Sequence, residues 1–140
     1  MPSGGGHIIR ALEAGYRALD GVPPDGRKAI RDVFGAAENL FKQTFAQQRL
    51  SAHFINQHMK QAVAALPWNP EALAAGDLTC DAFCKWVDAA HIYRHEIGRP
   101  DPHEPPLELA ILLVSQGTGF VRWLVMIDRA VHPGAAPPEG

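Results

Sequence analysis

At 140 residues the chain fits one domain, and a helical domain of that size can bury an adequate core without metal or disulfide staples. Hydrophobic residues make up 46 % and charged residues 20 %, which excludes a disordered polyelectrolyte. The formal net charge of −2 excludes a generally basic nucleic-acid coat and leaves only a local basic patch open.

In chain order, helical segments alternate with proline- and glycine-rich breaks. Residues 1–6 read as a flexible leader, with neither the basic segment nor the apolar run of a secretory signal. A first helix is expected over 7–20, where Ile8, Ile9, Leu12, Tyr16 and Leu19 recur at helical spacing. It stops at Gly21, and Val22-Pro23-Pro24-Asp25-Gly26 has the chemistry of a turn. A second helix, about 27–47, carries the stripe Ile30, Val33, Phe34, Ala37, Leu40, Phe41 and Phe45. A third, about 51–66, turns Phe54, Ile55, Met59, Ala62, Val63 and Leu66 inward and ends at Pro67. Whether the junction near Arg49 to Ser51 breaks or only kinks the chain stays open at this level.

A loop with a short turn is expected over 68–76, after which Asp77 or Thr79 can cap a fourth helix. That helix is expected to run to Ile97, with Phe83, Trp86, Val87, Ala90, Tyr93 and Ile97 on one face and Gly98 as a left-handed cap. The prolines of 99–106 forbid helix there, and Pro105 and Pro106 suit the start of a last helix over 107–131. Gly117 and Gly119 in that helix cost about 1 kcal/mol each against alanine, which implies close approach of another backbone within the bundle or across a dimer. Glu108, Gln116, Arg122, Asp128 and Arg129 interrupt it, so no unbroken apolar run reaches the roughly 20 residues of a membrane span. Residues 132–140 are expected as a disordered tail. The pattern predicts an all-α, up-and-down bundle of four to five helices, forming a single domain over 7–131.

Cys80 and Cys84 lie four apart on one helix face, a spacing that suits two reduced, half-buried thiols in a cytoplasmic protein better than a disulfide. His91 and His95 continue the same side. A single zinc cannot use all four, because the fifteen residues from Cys80 to His95 span about 22 Å of helix. A smaller set of His91 and His95 with His103 or Glu104 is conceivable, but surface or half-buried histidines are the preferred reading, so neither metal nor cofactor is expected.

Arg94, His95, Arg99 and His103 crowd around the end of the fourth helix. Arginine can hold a phosphate and histidine can move a proton near neutral pH, which together make a minimal kit for cutting RNA without metal. Here Arg94, His95 and His103 would be the catalytic set, and Arg94 and Arg99 the RNA-binding pair. The competing reading pairs Arg94 and Arg99 with Glu96, Asp101 or Glu104. Arg49, His53 and His58 form a weaker set that reads as polar helix surface. No Gly-rich phosphate loop and no Gly-x-Ser-x-Gly or His-Glu-x-x-His motif occurs.

Two stretches, residues 29–45 (with Ala29, Ala36, Glu38, Leu40 and Lys42) and residues 91–113, resemble the HEPN superfamily, and within it the C-terminal helical domains of abortive-infection-type proteins. They cover under a third of the chain. Arg94 and His95 match the first two positions of that family's Arg-polar motif, while the next histidine, His103, lies further along than the motif places it. The resemblance therefore implies the bundle and a dimer more strongly than it implies a nuclease. It implies a role in phage defence or a toxin–antitoxin pair, as an RNA-binding module or a metal-independent endoribonuclease. The alternative is a non-catalytic interaction or dimerisation module with no membrane association. It would dock on a partner protein or a second copy through Gly117, Gly119, Phe120 and Trp123 of the last helix.

Overall fold

A computed structural model describes residues 5–21 and 23–134; the leader expected at 1–4, the tail at 135–140 and Val22 of the first turn lie outside the described residues. Helix makes up 74 % of the described residues and no strand occurs among them, so the molecule is the all-α bundle that the sequence predicts. Its five helices are α1 (Gly5–Asp20), α2 (Gly26–Phe45), α3 (52–64), α4 (Pro70–His91) and α5 (Leu107–Val131). The longest interfaces join α2 to α5 and to α1, and α4 packs on α3, α2 and α5.

Helix α2 is central because one face is apolar at steps of three and four. Ala29, Ile30, Val33, Ala36, Ala37, Leu40 and Phe41 are all buried. Asp25 caps its start by accepting the Lys28 N–H at 3.1 Å, and Ala46 ends it in the left-handed conformation, φ 52°. The junction before α3 is a break: Ser51 caps a new helix by accepting the Phe54 N–H at 3.2 Å. Within α3 the ladder widens to a π-helical stretch at Ile55–Met59, which keeps both Ile55 and Met59 buried.

Four boundaries differ from the sequence reading. Helix α1 begins at Gly5, inside the expected leader, and turns Ile8 inward but leaves Ile9 and Tyr16 exposed. Helix α4 begins at Pro70, not at Asp77 or Thr79. Asn69 accepts the Ala72 N–H at 2.8 Å, Pro70 takes the first turn, and Glu71 faces the helix dipole. Gly76 is interior to α4 and marks close packing on α3, since a Cβ there would lie 2.8 Å from Val63 Cγ1.

The other two differences lie at the end of α4 and just past α5, which itself spans 107–131 as expected. Helix α4 stops at His91 rather than Ile97, its last bonds tightening to Tyr93 N–H on Ala90 and Arg94 N–H on His91. Arg31 of α2 donates to the Tyr93 carbonyl at 2.6 Å, occupying an acceptor that a longer helix would need. Ile97 is consequently 97 % exposed, and Gly98, φ 82°, sits in a β-turn closed by Arg99 N–H on Glu96 rather than in a helix cap. Past α5, His132 is no free tail residue: its Nε2 lies 2.9 Å from the Thr44 carbonyl.

Helix α5 is long and apolar enough to cross a membrane by length and composition. In this fold it supplies the core with Ala110, Leu113, Val114, Val121, Leu124 and Ile127, and buried Asp128 accepts the Thr44 hydroxyl at 2.8 Å.

Candidate functional site

Arg94, His95, Arg99 and His103, expected around the end of the fourth helix and the loop after it, all lie on the loop 92–106. That loop is fastened to the start of α2. Glu104 accepts the Gly26 and Arg27 N–H groups, serving as an N-terminal cap from 78 residues away, and takes Arg27 Nε at 2.9 Å. Arg27 also donates to the Pro102 carbonyl at 2.8 Å. Arg31 reaches Asp101 at 3.1 Å, and the same carboxylate oxygen lies 2.8 Å from His95 Nδ1. The His95 hydrogen bond, seconded by Arg31, holds the Asp101 carboxyl below its ordinary range.

Each exposed arginine of the loop is matched locally. Arg94 forks onto Glu96 at 3.0 and 3.1 Å, and Arg99 takes the other Glu96 oxygen at 3.2 Å. The Arg94 hydrogen bond, then the Arg99 charge, lowers the Glu96 pKa. This is the competing arrangement of the sequence reading. The loop brings Arg94 and Arg99 together in one cleft with His91, and leaves His95 on Asp101 and His103 exposed outside it. That cleft, about 310 Å³, adjoins a second of about 300 Å³ lined by Arg31, Phe34, Glu38 and again His91 and Arg94.

His91 and Arg94 line both clefts, and His91 is the one imidazole they share. It is half-buried, its ring centroid 4.8 Å from that of Phe34. Burial, helped by the nearby charge of Arg94, lowers its pKa and so favours the neutral imidazole. The two thiols are chemically quiet: both are buried, and burial pushes Cys80 up to about 12 and Cys84 in the same direction. Among the described residues no three His, Cys, Asp or Glu side chains gather as metal ligands.

A third surface is different in kind. Helices α4 and α5 wall an open groove of about 490 Å³, almost wholly apolar, with Trp68 also lining it. Ala72, Ala75, Gly76 and Thr79 form the α4 wall; Gln116, Gly119, Phe120 and Trp123 form the α5 wall. Three of the four interface residues named from sequence thus line one groove. The fourth, Gly117, does not. A Cβ there would lie 2.4 Å from Val33 Cγ1 and 2.5 Å from Trp86 Cζ2, so its missing side chain admits α2 and Trp86 within the chain. Trp86 lies close because its indole N–H donates to the Leu113 carbonyl at 2.8 Å. At Gly119 a Cβ would meet nothing within 4 Å.

The α4 wall was missed because residues 68–76 were read as loop. The signal that could have found it is Asn69-Pro70-Glu71, a cap, a proline at the first turn and an acidic dipole partner in succession.

No known family model, curated protein or solved structure matches this chain. The functional reading therefore rests on the chemistry of these three surfaces.

Proposed function

We propose that the chain is a non-catalytic helical docking module whose working surface is the groove between α4 and α5. The observation that carries this reading is the groove itself: about 490 Å³, preformed, lined almost entirely by apolar atoms. Leu109 and Leu112 extend the same side of α5 at 39 % and 53 % exposure. Apolar surface left in water gains about 25 cal/mol per Å² when covered, and an open groove between two helices takes the apolar face of a third. The loop supports the reading from the other side, because its guanidiniums and His95 already have carboxylate partners.

The test is selection of helical peptides from a displayed library against the wild-type chain and against Ala75→Arg, which places a charge in the α4 wall. Docking predicts peptides with apolar anchors at i, i+3 or i+4, and i+7 that bind wild type and lose at least about tenfold in affinity on the variant. Peptides that ignore the Ala75→Arg change, or no selected peptides at all, overturn it.

A second reading keeps a HEPN-like RNA-binding module at the two polar clefts. It is favoured by His91 and Arg94 lining both clefts, and by the exposure of Arg94 and Arg99, whose surface ion pairs with Glu96 can be exchanged for phosphate at small cost. It predicts binding of single-stranded RNA that weakens steeply with salt and is lost in Arg94→Ala. Fluorescence anisotropy that stays flat for wild type at low salt removes it.

A further inference from the structure

Resting on the docking reading, we infer that the occupant of the groove is a second copy of this chain, with the two α5 helices antiparallel about a two-fold axis at Ser115–Gln116. Helix α5 carries two seams. One faces the core. The other, Leu109, Leu112, Gln116, Gly119 and Trp123, advances by three, four, three and four residues, which is the spacing of a helix–helix seam. It covers fourteen steps of about 1.5 Å, or about 21 Å, and the α4 wall broadens it into a two-helix face.

The outer seam is complementary to itself when reversed. Leu109 falls opposite Trp123 of the second copy, and Leu112 opposite its Gly119. That is where a knob is wanted: Gly119 leaves open space beside the groove, and the leucine enters it. Gln116 meets Gln116 on the axis, where each amide can donate to and accept from the other.

Charge fixes the direction. Glu108, Ser115 and Arg122 are exposed at intervals of seven along one flank of the seam. Neither Glu108 nor Arg122 forms an ion pair among the described residues. Two antiparallel helices set like flanks against each other, so Glu108 lies against Arg122 of the second copy, twice, with the small Ser115 pair between. A parallel arrangement would set this flank against the opposite flank, along Leu113 and Phe120, and leave Glu108 and Arg122 without each other. A closed two-fold contact also covers both grooves at once and leaves no open end for further addition.

Sedimentation of the full chain, with wild type and variants checked for unchanged helicity, tests this. Wild type should dimerise at micromolar concentration. Leu112→Glu, at an exposed position, should raise the dissociation constant about a hundredfold or more by placing a charge in the groove. Glu108→Arg or Arg122→Glu alone should weaken the dimer about tenfold, and the double exchange should restore it. Ser115→Cys should give a disulfide-linked dimer on mild oxidation, the native Cys80 and Cys84 being buried. A monomeric wild type at high concentration overturns the inference. So does a dimer indifferent to Leu112→Glu, or one that the double exchange fails to restore. A monomer that still selects groove-dependent peptides sinks the second copy but leaves the docking reading standing; a monomer that selects none sinks both.

Discussion

The loop joining α4 to α5 and the groove walled by those same helices treat their side chains in opposite ways. In the loop, chemistry-bearing groups are abundant and nearly all are matched within the chain: Arg94 and Arg99 on Glu96, His95 on Asp101, Arg27 on Glu104. In the groove there is almost no polar chemistry, and its apolar wall has no partner among the described residues. A cluster of arginines and histidines interleaved with carboxylates tends to neutralise itself, because short-range ion pairs form as soon as a loop folds back. An apolar face two helices wide has no such outlet. It needs an external surface, which makes the quieter region the better guide to function.

That contrast is sharpest inside α5, where two glycines two residues apart belong to different environments. Gly117→Ala should be the most damaging small change in the helix. Its new methyl would meet Val33 and Trp86 at 2.4 and 2.5 Å, and neither can retreat easily from a buried position. Overpacking of this kind costs about 1–3 kcal/mol or more, against the roughly 1 kcal/mol alanine gains over glycine in a helix. A net loss of up to about 2 kcal/mol is expected in thermal or denaturant unfolding. Gly119→Ala, with open space around it, should instead stabilise the chain by up to about 1 kcal/mol, measured below the concentration at which it associates. If both changes move stability in the same direction, the assignment of one glycine to the core and the other to the groove is wrong.

Arg31→Ala probes the loop side of the comparison. Arg31 is 30 % exposed and holds two loop groups at once, the Tyr93 carbonyl and the Asp101 carboxylate. Its removal should cost about 1–2 kcal/mol and speed amide exchange over 92–101, since a partly buried carbonyl loses its donor. Arg94→Ala, whose 55 % exposed side chain pairs only with Glu96, should change stability by less than about 0.5 kcal/mol. Equal effects of the two would mean that α2 does not anchor the loop.

Much of the fold was legible in the sequence because periodicity reports directly on which face is buried. The spans of α2 and α5, the helical class and the α2 core residues follow from steps of three and four in the chain. What was not legible depended on long-range partners. The end of α4 is set by Arg31 capturing a carbonyl 62 residues away, and the cap of α2 includes Glu104, 78 residues away; nothing local announces either. Of the glycine pair only Gly117 is closely packed, and against the side chains of Val33 and Trp86 rather than a backbone, while Gly119 has open space around it; nothing local in the sequence separates the two. The likeness of Arg94, His95, Arg99 and His103 to a reactive cluster depended on proximity in the chain. Proximity in the chain also supplied Glu96 and Asp101 to occupy three of them.

The smallest effect expected is a pH dependence from His91, the one imidazole that both clefts share. It faces Phe34 and Arg94, with Glu38, Asp88 and Arg49 acting on it electrostatically. Burial and Arg94 lower its folded pKa, while Glu38 and Asp88 oppose the shift in part. Unfolding releases the ring to water, where it takes up a proton more readily, so the unfolded state binds more protons over this range. Stability should then be fully present above the unfolded histidine value of about 6.5 and decline as pH falls from there through the depressed folded value. The carboxyls of Glu96 and Asp101, lowered from 4.5 and 3.8, act only at more acid pH and do not obscure the window. Denaturant titrations at pH 7.5 and 5.5 should give a lower midpoint at the acid end for wild type, and a smaller difference for His91→Gln. A slope that survives His91→Gln unchanged would place its origin elsewhere. It would also remove the argument that this histidine is kept neutral by its seat against Phe34, and with it the sharpest distinction between His91 and the exposed, carboxylate-paired His95.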